Sequence, residues 1–125
     1  MFTDENIMMN NEEKKRRAKQ LSLEFAAYLN IQSHYKGYAF FIDAIYMCAL
    51  TPELLYPISK KLFPIMAENH GCSIHSIERN IRKVIDIAFE NDPEPFYKCL
   101  SYLDGKPYMT EVIACAAEKV RLELK

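Results

Sequence analysis

Arg79 and Arg82 are the residues of this sequence best suited to specific recognition chemistry. A guanidinium is a planar fork of N–H donors that matches guanine O6 and N7. One such pair discriminates between bases by roughly 1–3 kcal/mol. Three residues apart on a helix, the two arginines share a face. Glu78 beside them can accept from cytosine N4. Its charge repels phosphate, so a carboxylate here makes sense as a base reader or as a clamp orienting an arginine. A plainer alternative stays open: Glu78 and Arg82 lie four apart, the spacing of a surface ion pair worth about 0.2–0.5 kcal/mol.

This chemistry needs an exposed helix to carry it. Ser73 is a helix cap, and the segment after it continues helically to about Glu90. Ile74, Ile77, Ile81, Val84/Ile85, Ala88 and Phe89 alternate in steps of three and four, which makes one continuous inner stripe. The outer face then carries His75, Ser76, Glu78, Arg79, Arg82, Lys83 and Asp86. Ahead of it, Pro64 is read as opening a short helix that ends at His70-Gly71, where glycine suits a left-handed position. Ala67, Gly71 and Ile77 supply a small residue at a helix crossing, a turn residue tolerant of positive φ and a hydrophobe that locks the second helix. That is the pattern of a DNA-binding helix-turn-helix over residues 64 to 90.

The remaining elements are helical too. Neither sustained period-two alternation nor a two-residue hairpin turn occurs. Residues 1 to 9 are expected to be frayed. A helix from about Asn10 to Leu29 carries the charge run of residues 12 to 17 and a stripe of Leu21, Phe25 and Tyr28/Leu29. That charged segment, residues 1 to 24, is a solvated face, a basic arm or a dimer contact. A helix from about Tyr35 to Ala49 is apolar enough to be buried on most sides. Thr51-Pro52-Glu53 starts another, with Thr51 as N-cap. Asn91-Asp92-Pro93 terminates the reading helix. A helix near Glu94 to Leu103, the turn Asp104-Gly105-Lys106-Pro107 and a last amphipathic helix from Thr110 to Leu124 complete the chain. The fold expected is all-α, a single domain of six to seven helices. Tyr38, Phe41, Tyr46, Phe63 and Phe89 are its expected aromatic core.

Composition narrows the function classes. The chain has 125 residues, half of them hydrophobic, with a formal net charge of −1. One domain with a real core fits that length. A non-specific nucleic-acid coat is normally strongly basic, so nucleic-acid binding here must rest on a local patch. Cys48, Cys72, Cys99 and Cys115 are scattered without a C-x-x-C pair, as expected of reduced thiols in a cytoplasmic protein. The first twenty residues lack an apolar signal core, and the apolar run from Tyr38 to Leu50 is too short for a bilayer, so no membrane partner is expected. No Ser-His-Asp order, paired carboxylates or glycine-rich phosphate loop points to an enzyme or a nucleotide cofactor. His70-x-Cys72-x-x-His75 lacks the second close pair of a zinc site, and no metal is expected.

Several blocks of the sequence agree, in order, with one family. His34-Tyr-Lys36-Gly37-Tyr38, then Ala44-Ile45, then Glu53-Leu54-Leu55, then Glu78-Arg79-x-Ile81-Arg82 stand at matching distances. The tail from Glu111 through Ile113-Ala114, Ala117, Lys119 and Arg121-Leu122-Glu123 to Lys125 follows. Over residues 25 to 125 the chain resembles the DNA-binding effector domain of the stage-zero sporulation master regulator A, a response regulator of endospore-forming bacteria. The departures are a shortened loop near residues 91 to 107, Lys83 where histidine is usual and Asp86 in place of glutamate.

The resemblance implies a sequence-specific double-stranded DNA-binding transcription regulator reading TGTCGAA-like boxes. Glu78, Arg79 and Arg82 would read bases, with Lys83 and Asp86 next to the bases or the adjoining backbone. His34, Lys36, Ser73, His75 and Ser76 would meet the phosphates. The family regulator carries a receiver domain, and only about twenty mostly charged residues precede the resemblance here. Control by abundance or by a partner is therefore expected. Tandem operator boxes imply DNA-dependent pairing of two copies, and RNA polymerase sigma factor is a further implied partner. The rival reading keeps the fold but makes the chain an interaction module that titrates sigma factor or the full-length regulator.

Overall fold

A computed structural model describes residues 10 to 101 and 105 to 124. Among them lie six α-helices: α1 (Asn11–Tyr28), α2 (Lys36–Leu50), α3 (Ile58–His70), α4 (Ile74–Asn91), α5 (Glu94–Cys99) and α6 (Met109–Glu123). A short 3-10 helix, Pro52–Leu55, joins α2 to α3. The architecture is all-α around one core, as the sequence predicts. The expected fraying of residues 1 to 9 lies outside the described residues, as do Leu103 and Asp104.

The most apolar helix sits in the middle. Phe40, Phe41, Ile42, Ala44, Ile45, Cys48 and Ala49 of α2 are all buried, and α1, α3, α4 and α6 pack around it. Burial pushes the Cys48 thiol up to about 12, because the thiolate would lose its hydration there. Of the expected aromatic core, Phe41 and Phe63 are fully buried, while Tyr38, Tyr46 and Phe89 pack partly buried against it.

Three expectations are corrected. Pro64 does not open a helix: α3 starts at Ile58, with Pro57 before it, and runs through Pro64 to His70. Proline removes one helical donor and strains its turn, at a cost of about 3 kcal/mol in a free helix. Here Ile58, Leu62, Phe63, Met66 and Ala67 form an apolar stripe on both sides of it, and their burial holds the helix together. The inner face of α1 is centred on Ala18, Ser22 and Ala26 rather than on its large side chains. Leu29 is buried as expected, Leu21 and Phe25 are half-buried and Tyr28 is exposed. Small residues four apart let α1 approach α2 and α6 closely, and Ser22 Oγ satisfies itself by donating to the Ala18 carbonyl at 2.8 Å. Lastly, α5 ends at Cys99, short of the expected Leu103.

Candidate nucleic-acid interface

The expected helix-turn-helix corresponds to α3, the three residues 71 to 73, and α4. Gly71 adopts φ 64°, ψ 38°, the left-handed region where a side chain is penalised. The Cys72 N–H donates to the Ala67 carbonyl at 3.0 Å and the Gly71 N–H to Glu68 at 3.3 Å. These two bonds satisfy the end of α3 and turn the chain sharply. Ser73 then caps α4: its Oγ accepts from the Ser76 N–H at 3.0 Å. Ala67 and Ile77 are both buried, and α3 packs against α4.

The inner stripe of α4 is Ile77, Ile81, Val84, Ile85 and Ala88. Ile74 departs from it, being 40% exposed at the helix tip. The opposite side stays open. His75, Arg79, Arg82 and Lys83 are exposed, so the arginine pair lies on a face that no other part of the described chain covers. Arg79 has no ion-pair partner among the described residues. Arg82 Nη2 donates to Glu78 Oε1 at 3.2 Å, so the plain ion-pair arrangement is present in the free protein. In this arrangement the Arg82 fork is turned toward Glu78.

Asp86, expected beside the reading residues, has another attachment. Asp86 is tied to Lys106 at 3.1 Å, which links the second half of α4 to the loop before α6. Phe89 stacks edge-on against Phe96 and Tyr97 of α5. The C-terminal half of α4 thus carries ties beyond its buried stripe, while in the N-terminal half the side chains of His75 and Arg79 stay open to solvent. Ser73 Oγ is occupied as the cap. Ser76 is half-buried, and both its carbonyl and its Oγ accept from Asn80 Nδ2, at 2.8 and 3.3 Å. His75 is free toward solvent at the first turn.

The start of α2 lies alongside. A Cβ on Gly37 would stand 2.0 Å from the Asn80 carbonyl oxygen, so the two helix backbones touch at that point. Only glycine permits this approach, and it brings exposed His34 and Lys36 next to the flank of α4. Tyr35 lies between them, its ring 4.3 Å from that of His34 and under the Lys83 ammonium at 5.1 Å. Around this face Lys36, Arg79, Arg82 and Lys83 outnumber Glu78 and Asp86, and both carboxylates are already paired. A locally positive surface therefore sits on a chain of net charge −1.

Sequence reasoning did not single out Asn80, Tyr35 or Lys106. A glycine in the first turn of an otherwise apolar helix was the available sign of a close backbone contact. His70 also has a role that the sequence pattern hid. Its Nε2 meets Asp43 Oδ2 at 2.7 Å, and Asp43 also pairs with Lys19 at 3.5 Å. Among the described residues, no three His, Cys, Asp or Glu side chains gather as metal ligands. None of the described helices is long and apolar enough to cross a membrane.

A family model described as the C-terminal part of the sporulation initiation factor Spo0A matches residues 23 to 120. That match spans most of the sequence and includes both helices of the helix-turn-helix and the start of α2. The chain belongs to this family of DNA-binding effector domains, a regulatory family rather than an enzyme family.

Proposed function

We propose that this chain is a sequence-specific regulator of transcription that inserts the N-terminal half of α4 into the major groove of TGTCGAA-like boxes. The observation that carries the reading is the exposed pair Arg79 and Arg82 on the outer face of α4, with Gly37 holding His34 and Lys36 beside it. Arg79 and Arg82 read guanines through their forks, and Glu78 orients Arg82 or accepts from a cytosine. His34, Lys36 and His75 meet phosphates, and Ser73 and Ser76 add contacts where their hydroxyls exchange partners on binding. Lys83 and Asp86 flank the reading residues; Asp86 must leave Lys106 to reach a base. Tandem boxes seat two copies side by side, and a bound copy is positioned to meet sigma factor.

Selection of bound duplexes from a random pool tests this directly, because it reports whether sites exist, their sequence and their spacing. Arg79→Ala is expected to cost about 1–3 kcal/mol in binding to the selected site and to relax the preference at one base pair. Recovery of no enriched sequence, or an Arg79→Ala variant that binds like the parent while still competing with the full-length regulator, favours the titrating interaction module instead.

A further inference from the structure

Lys83 stands on the outer half of α4, but its ammonium does not extend toward the space in front of Arg79 and Arg82. It is folded sideways over the Tyr35 ring, 5.1 Å from the centroid. That geometry is a cation held by the negative face of an aromatic ring. Tyr35 is itself fixed on two sides. It is the N-cap residue of α2, one residue from Lys36 and two from the Gly37 contact with Asn80, and its ring stacks on His34 at 4.3 Å. The result is a row of three side chains, His34, Tyr35 and Lys83, crossing from one helix to the next. It lies along the flank of α4 that faces α2.

A helix seated in the major groove presents its outer face to base edges and its flanks to the two sugar–phosphate walls. We infer that Tyr35 is a positioning residue that assigns Lys83 to a phosphate instead of a base, placing its charge with His34 and Lys36 on one wall of the groove. This rests on the groove-reading function proposed above and deepens it. Sequence preference then comes from Glu78, Arg79 and Arg82, and Lys83 contributes affinity that is the same for every sequence. An unpositioned lysine at this place, on a flexible four-carbon stem, would sweep both regions. The half-buried ring biases the lysine toward this flank before DNA arrives.

The test has two arms, both on the full chain. In the free protein, NMR reads the Lys83 ε-methylene protons. They are expected upfield of their ordinary position, unchanged in Tyr35→Phe, and back to the ordinary position in Tyr35→Ala. Unshifted protons in the parent overturn the inference whatever the protein binds. The second arm measures duplex binding by fluorescence anisotropy across a salt series, using the selected site and single-base variants of it. Lys83→Ala is expected to weaken binding to all duplexes by the same factor and to make the log–log salt slope shallower by about 0.9. Tyr35→Ala is expected to weaken binding about three-fold, Tyr35→Phe to leave it intact, and the double variant to bind no worse than Lys83→Ala alone. A Lys83→Ala variant that changes preference at one base pair with its salt slope intact overturns the inference, as does full additivity of the two alanine changes. A parent that binds no duplex at all defeats the groove reading, and the NMR arm still decides whether Tyr35 holds Lys83.

Discussion

Helices α1 and α4 are equally long, eighteen residues each, and both pack on the central helix α2 with charged residues turned outward. They make room for that contact in opposite ways. Helix α1 gives up its own side chains, burying Ala18, Ser22 and Ala26 and leaving its larger groups at the margins. Helix α4 keeps a bulky inner stripe of Ile77, Ile81, Val84 and Ile85, and the space comes from its neighbour, at Gly37. The difference matters for function. A helix that donates the space can lie flat along the core, whereas one gripped by a broad hydrophobic stripe is held firmly enough to project its other side.

The comparison predicts where truncation and enlargement hurt. Ile81→Ala in α4 is expected to cost about 3 kcal/mol in urea unfolding, since it opens a cavity at a fully buried site. No equivalent truncation exists on the inner face of α1, where enlargement is the damaging change. Ala26→Leu there, and Gly37→Ala under α4, are each expected to cost about 2 kcal/mol by overpacking. Gly37→Ala should in addition impair DNA binding, because it separates the His34–Lys36 segment from α4. If Gly37→Ala is as stable as the parent, the two helix backbones do not meet as described.

The capping residues allow a finer comparison. Asn10 Oδ1 accepts from the Glu13 N–H at 2.9 Å at the start of α1, just as Ser73 serves α4. Asn10→Ala and Ser73→Ala should each cost about 1 kcal/mol of stability. Only the Ser73 change is expected to lower duplex affinity as well. Equal effects on binding would erase the functional distinction between the two helices.

A last comparison concerns α2, which both helices cover. Native protein treated with a thiol reagent should label Cys72, Cys99 and Cys115 first and Cys48 last. Since the folded Cys48 thiol ionises near 12 instead of the ordinary 9.0, its contribution to stability is complete below about pH 9 and lost as pH rises toward 12. Prompt labelling of Cys48 at neutral pH would mean that α1 or α4 opens readily from the core.

What the sequence made legible follows the same division. The stripe of α4 was readable because β-branched residues recur at helical spacing, and Gly71 and Ser73 mark the turn by chemistry that few other residues share. The true face of α1 was not, since Ala18 and Ala26 carry no periodic signal beside Leu21 and Phe25. Pro64 misled for the converse reason: a local rule about donors was overridden by burial on either side of it. On the outer face of α4, the exposure of the two arginines was legible from helical spacing. The Tyr35–Lys83 contact and the Asp86–Lys106 tie were not, because they join elements far apart in sequence and no local pattern specifies them.

Asp43, the one acidic residue of α2, ties three helices together. One carboxylate grips Lys19 of α1 and His70 at the last turn of α3, immediately before the chain reverses into α4. The His70 ring also rests edge-on against Phe40. Through this single carboxylate, α1 and the corner between α3 and α4 share one point of attachment on α2.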